Sequence, residues 1–210
     1  MHAQTHSKWY REISAKFANT PSEQAFLACL AIDAVLFVSL IGGFYFNLPW
    51  ENQFWPPPEM PVFPFSLTLM NGFFLAGSLI ALFLAFRSVF IPKARSTTPN
   101  WLGMTVVMGL MFVLSQGIEW SQIFMFGLKN PLNLISAFFY PLIGIYLAHL
   151  LGGLTALTWV VRKLHQDAWM LQPVSQAGII LGHTHLTLVG FYWFFIVTLW
   201  PVLYYLLYIN

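Results

Sequence analysis

Three ionisable side chains, Asp33, Glu119 and His149, interrupt long apolar stretches of this 210-residue chain. An ionisable group placed in hydrocarbon costs at least about 2.5–3.5 kcal/mol on insertion scales, so each needs a partner or a task. Carboxyl and imidazole groups can hold or pass a proton, share a hydrogen bond, or bind a metal. Two more histidines, His183 and His185, stand two positions apart. On a helix they would point about 200° apart, which prevents them from holding one ion together. Either could bracket a haem iron with His149 if the rings met at one depth. The chain has no Ser-His-Asp set, glycine-rich phosphate loop or zinc motif, and no acidic pair for a catalytic ion. No catalytic centre and no metal site of its own are therefore expected. Cys29 is the single cysteine and reads as a small buried apolar residue.

The elements that position these groups follow from composition. Charged residues make up 8% of the chain, against about 25% in soluble domains. Residues 60–86, 96–118, 130–161 and 168–210 carry no Asp, Glu, Lys or Arg. A bilayer core about 30 Å thick takes roughly 20 apolar residues per helix, so these stretches and the segment around Asp33 predict five transmembrane helices. The fold class is an all-α, polytopic membrane bundle. A net charge of +2 with scattered basic residues excludes nucleic acid as a partner.

Residues 1–19 place Trp9, Ile13 and Phe17 on one helical face, with Lys8, Arg11, Glu12 and Lys16 on the others. That pattern suits a short helix lying on the membrane surface, with a disordered tail as the alternative, and no cleavable signal is expected. The transmembrane domain, residues 20–210, opens at Thr20-Pro21-Ser22-Glu23, a capping box with proline at the first helical position. The spans are placed at about 21–46, 66–86, 101–126, 134–161 and 178–208. Between the first two, Trp55-Pro56-Pro57-Pro58 with Pro61 and Pro64 predicts an extended, rigid loop. Pro141 and Pro201 predict a kink or shortening in spans four and five. Of nine basic residues only Lys129 falls in the loops after spans one and three. The positive-inside rule then puts the N-terminus in the cytoplasm and the C-terminus outside.

At 1.5 Å per residue, Asp33 lies roughly 18 Å along span one and His149 roughly 18 Å from the far end of span four. The two reach similar depth on different helices, and a hydrogen bond between them, direct or through water, is expected. Glu119 lies roughly 27 Å along span three, where an interfacial carboxylate would reach headgroup water. Small residues recur at helical spacing as Gly144, Ala148, Gly152 and Ala156 on span four, and as Gly77, Ala81 and Ala85 on span two. Such ridges allow close helix approach. Trp50, Phe54, Trp55, Trp200, Tyr204, Tyr205 and Tyr208 would form an interfacial belt. No internal repeat suggests paired transporter halves.

In order along the chain stand Ala31-Ile32-Asp33-Ala34-Val35-Leu36-Phe37, Trp55-Pro56-Pro57 followed by Asn71, Leu114-Ser115-Gln116-Gly117-Ile118-Glu119-Trp120, Gly144 to Gly153 around His149, and Phe191-Tyr192-Trp193 with Trp200 and Tyr204. Together they resemble subunit III of haem-copper oxidases, such as cytochrome c oxidase, in the five-helix form. Asp33 stands where the family usually has glutamate, and Tyr146 replaces the first histidine of a pair. Phe194 and Val197 stand where its last helix usually has His and Asp, which marks a divergent branch.

The resemblance implies a non-redox accessory subunit in the respiratory chain. Such a subunit packs on catalytic subunit I among the other subunits of the complex, holds phospholipids and helps sustain proton uptake. Haem and copper would then belong to the partner subunits, with none in this chain, and the setting would be the bacterial cytoplasmic membrane. Asp33, His149 and Glu119 would serve proton uptake or structure. The corresponding subunit of a nitric oxide reductase, a one-haem quinone-reactive anchor, and a small transporter component are the alternatives.

Overall fold

The computed structural model describes residues 21–47, 65–129, 134–166 and 184–206. Five helices make up nearly all of them: α1 (Pro21–Asn47), α2 (Phe65–Phe90), α3 (Thr98–Lys129), α4 (Leu134–Gln166) and α5 (Thr184–Tyr204). Each is long and apolar enough to cross a membrane, and the described residues contain no strand. The surface helix expected before Pro21, the cap at Thr20, the proline loop before Phe65, His183, and the belt positions Trp50, Phe54, Trp55 and Tyr208 lie outside the described residues.

One link between helices is described in full. α2 runs on past Arg87 to Phe90, and a 3-10 helix, Pro92–Thr97, leads directly into α3. Ile91, which precedes Pro92, adopts an extended backbone (φ −103°, ψ 107°), because a residue before proline is pushed out of the helical region. Ser88 and Thr98 close the turn with a 2.6 Å hydroxyl contact, and Ser88 donates to the Ala85 carbonyl at 2.7 Å. Pro99 lies in the first turn of α3, where its missing N–H leaves no bond unmade. α4 and α5 continue through Pro141 and Pro201, and α5 passes into a π-helical turn at residues 205–206.

α4 and α5 form the centre. α1 packs on both, α3 packs on α4, and the α2–α3 hairpin also meets α5. The joint is Trp193 of α5, fully buried. Its indole donates to Ser78 Oγ of α2 at 3.4 Å. A Cβ at Gly109 of α3 would lie 2.6 Å from its ring, and one at Gly153 of α4 would lie 3.0 Å away. Gly190 admits Phe86 of α2 in the same manner, since a Cβ there would meet that ring at 2.3 Å. Close packing of this kind holds membrane helices together where lipid supplies no hydrophobic drive to association.

The two small-residue ridges behave differently. Ala81 and Ala85 are buried, and a Cβ at Gly77 would meet Met108 Sδ of α3 at 3.5 Å, so the ridge on α2 is a helix contact. On α4, Gly144, Ala148 and Gly152 are exposed, with nothing within 4 Å of a Cβ at either glycine. At those three positions the α4 ridge is not a helix contact within the chain. The row Leu142, Tyr146, Leu150, Gly153, Leu157, Val160 and Leu164 is buried instead, where close packing against the neighbouring helices, as of Gly153 under Trp193, holds it. Cys29 is likewise exposed rather than buried.

Candidate functional site

Two polar sites interrupt the apolar interior. The first joins α1 to α4, where His149 Nε2 and Asp33 Oδ1 stand 3.3 Å apart. His149 Nδ1 lies 2.7 Å from the carbonyl oxygen of Ile145, one turn earlier. A carbonyl can only accept, so Nδ1 carries a hydrogen and donates it. Nε2 and Oδ1 must then share one proton: either aspartic acid donates to neutral imidazole, or imidazolium donates to carboxylate. Both forms make the pair neutral overall, which suits its depth in the span. Phe37 of α1 lies edge-on to the imidazole, with ring centroids 5.3 Å apart. The site is not sealed, since the Asp33 and His149 side chains keep 20% and 19% of their exposure.

The second site joins α2, α3 and α5 toward the other end of α3. Asn71 of α2 donates through Nδ2 to Gln116 Oε1 at 3.1 Å and to Glu119 Oε2 at 3.2 Å. Ser115 donates to Asn71 Oδ1, and Gln116 Nε2 donates to Glu119 Oε2. Trp200 of α5 donates its indole hydrogen to Gln116 Oε1 at 3.2 Å. Its ring meets Phe112 edge-on at 5.7 Å and stacks on Tyr204 at 4.9 Å. Tyr204 in turn donates to Thr68 Oγ1 at 3.4 Å. Both oxygens and both nitrogens of the two amides are thus engaged, which is the condition under which buried polar groups are tolerated.

This arrangement corrects the expectation that Glu119 reaches headgroup water, because its side chain is 1% exposed. Phe112, Ser115, Gln116, Glu119, Trp120 and Ile123 form the buried stripe of α3, while Gly117, Ile118 and Ser121 face outward. Counting residues gives depth, but the apolar neighbours along the stripe set the direction in which the carboxyl turns. Trp200 and Tyr204 also turn inward to this cluster instead of lying wholly in an interfacial belt, whereas Tyr205 remains outward. Asn71, Ser115, Gln116 and Trp200 were not singled out as a site. The signal available was polar residues three and four apart on one face of an otherwise apolar helix.

Between the two sites, the ring of Tyr146 sits edge-on to Phe37 at 6.5 Å and to Trp120 at 6.4 Å. Its hydroxyl is buried and has no hydrogen-bond partner among the described residues. Val197 is buried and Phe194 faces outward, so neither position asks for a polar neighbour. Both ring nitrogens of His149 are engaged, so this histidine does not fit as an axial ligand of a haem in this arrangement. Among the described residues, no group of three or more His, Cys, Asp or Glu side chains is placed to hold a metal ion. Neither polar site pairs a nucleophile with a base. What both do is fix helices to one another.

No family model matches the chain. Among curated proteins it resembles one from Mycobacterium tuberculosis (strain ATCC 25618 / H37Rv) named "Probable cytochrome c oxidase subunit 3", at 26% identity over 180 residues, covering 83% of this chain and 81% of the relative. A protein of the same name from Mycobacterium leprae is 25% identical over 183 residues, covering 85% of this chain and 83% of its own length. "Cytochrome c oxidase subunit 3" of Synechocystis is 25% identical over 155 residues, covering 74% of this chain and 61% of the relative.

Proposed function

We propose that this chain, a divergent homologue of cytochrome c oxidase subunit III and an integral membrane protein, is the non-redox accessory subunit of a bacterial haem-copper terminal oxidase. The observation that carries this is the collinear likeness over 83% of the chain to a protein of that name. It is supported by the way Asn71, Gln116 and Glu119, which carry part of the motif resemblance, meet in one network. The chain sits in the cytoplasmic membrane with its N-terminus inside. It packs on the catalytic subunit, holds phospholipids against its outer faces, and keeps that subunit in a form that sustains proton uptake. Haem and copper belong to the partner subunits. Asp33, His149 and Glu119 act here through structure, by tying α1 to α4 and α2 to α3.

The test is purification of the tagged chain from its native membrane in mild detergent. Haem-copper catalytic subunits should accompany it, with oxygen-consuming activity and a Soret band that stays with them when the chain is stripped away. A Soret band that travels with the stripped chain would instead support a haem-bearing anchor. Partners that reduce nitric oxide and not oxygen would move the chain to the reductase branch.

A further inference from the structure

Glu119 is a buried carboxyl group with no cation to answer it. Its hydrogen-bond partners are the uncharged amides of Asn71 and Gln116. Around them α5 brings Trp200 and Tyr204, and α4 brings Tyr146 against the adjoining Trp120. The two tyrosines are the titratable groups of that surround, and a phenol never carries positive charge.

The rest of the chain offers no counter-ion. Leu154 of α4 lies at Gly109 and Tyr140 at Ile123, so α4 runs antiparallel to α3. Trp193 lies at Gly109 and Trp200 at Gln116, so α5 runs parallel to it. The basic residues and histidines of the α2–α3 link, the end of α4 and the start of α5 therefore belong to the end of the bundle where α3 begins. Those before Pro21 precede α1, which starts at that end too, since Asp33 and Phe37 meet His149 and Tyr146 in antiparallel order. From Thr98, which opens α3, to Glu119 is roughly 30 Å along the helix. Beyond Glu119 the one basic residue is Lys129, roughly 15 Å further on. His149 is engaged on both ring nitrogens by Asp33 and Ile145.

Trp200 fixes which end of each amide faces the acid. An indole N–H only donates, so the Gln116 atom that it meets is the oxygen, and Gln116 turns its nitrogen to Glu119. Gln116 Oε1 also takes Asn71 Nδ2, which sets that nitrogen against Glu119 in turn. N–H hydrogens carry partial positive charge, so a carboxyl ringed by them does not suit a metal cation. Two neutral donors restore only part of the hydration that a carboxylate would lose here, and an unpaired buried acid takes up a proton instead. We infer that the Asn71–Gln116–Glu119 cluster is a proton-binding site, in which Glu119 is a carboxylic acid with its proton on Oε1. Oε2 receives both N–H groups, so Oε1 is the oxygen left for it. This proton locks α2, α3 and α5 together, because its loss would leave a bare charge at their joint.

Infrared spectroscopy of the full-length chain in detergent tests this. Glutamate labelled with carbon-13 at the side-chain carboxyl marks Glu119 apart from Asp33 and Asp167. At neutral pH the spectrum should contain the carbonyl stretch of a protonated carboxylic acid, moved to lower frequency by the label and missing from Glu119→Gln. Absence of a label-sensitive band would overturn the inference. So would a band that persists in Glu119→Gln, since another glutamate would then carry it. The variant is also a stability test: its amide oxygen can accept from Asn71 and Gln116 while its NH2 replaces the acid O–H. Its unfolding constant should stay within about twofold of the parent chain's. A variant that does not fold, or unfolds over about tenfold more readily, would mean that the network needs a negative charge, against the inference. These outcomes turn on this chain's own residues, so the accessory-subunit proposal stands or falls apart from them.

Discussion

The two polar sites solve one problem in opposite ways. Glu119 is enclosed by Asn71 and Gln116, with Ser115 and Trp200 completing the amides' bonds from three helices. Asp33 has a single partner, His149, and an open edge. The first acid is held by neutral amide donors within the chain, with Asn71 and Gln116 both aimed at its Oε2. The second is neutralised by one shared proton and has bonding capacity left for a neighbour. A sealed network gives rigidity to the fold, whereas a part-open pair can respond to what lies against it.

Removing the sealed acid should have the largest effect. Glu119→Leu leaves the Asn71 and Gln116 amides without their shared acceptor, and is expected to destabilise the purified chain by about 2–4 kcal/mol. Thermal unfolding in detergent would check this, and a loss below about 0.5 kcal/mol, within ordinary surface scatter, would erase the contrast. Asp33→Leu should be milder in the isolated chain, about 0.6–1.7 kcal/mol, as for polar pairs between membrane helices. Its larger consequence should appear in the complex, as weaker retention of the subunit on size-exclusion chromatography.

Smaller changes sharpen the comparison. Trp200→Phe keeps the ring on Phe112 but removes one donor, while Gln116 Oε1 still accepts from Asn71. A cost of about 0.5–1 kcal/mol is expected, read from the same unfolding curves. Asp33→Asn should cost least, within about 0.5 kcal/mol, because an amide N–H can donate to neutral His149 Nε2 while the amide oxygen stays free to accept. Oxygen turnover of the complex should be unchanged. Lost turnover with assembly intact would make the Asp33 carboxyl a proton carrier and not a structural link.

Depth along the membrane was legible in the residues, and direction around each helix was not. The four charge-free stretches and the apolar segment around Asp33 are enough to announce five crossings, and rise per residue alone brought Asp33 level with His149, which the fold then sets 3.3 Å apart. The same counting placed Glu119 near an end of its helix but could not tell that it turns inward. Nor could it tell that Gly144, Ala148 and Gly152 turn outward. A helix that is apolar on nearly every side carries little patterning to fix its rotation. That choice is made by large side chains finding hollows, as Trp193 does against Gly109 and Gly153. The 3-10 link at Pro92–Thr97 had no reading from the sequence, and in the fold the hydroxyl contact between Ser88 and Thr98 closes it.

Trp193 also sets an order on biogenesis. α5 is the latest of the five helices to leave the ribosome, and until it arrives the notch between Gly109 and Gly153 has no ring to occupy it. A message cut short before α5 would therefore yield four inserted crossings with a gap at their common seam. The contact shared by α2, α3 and α4 is therefore completed by the helix made last.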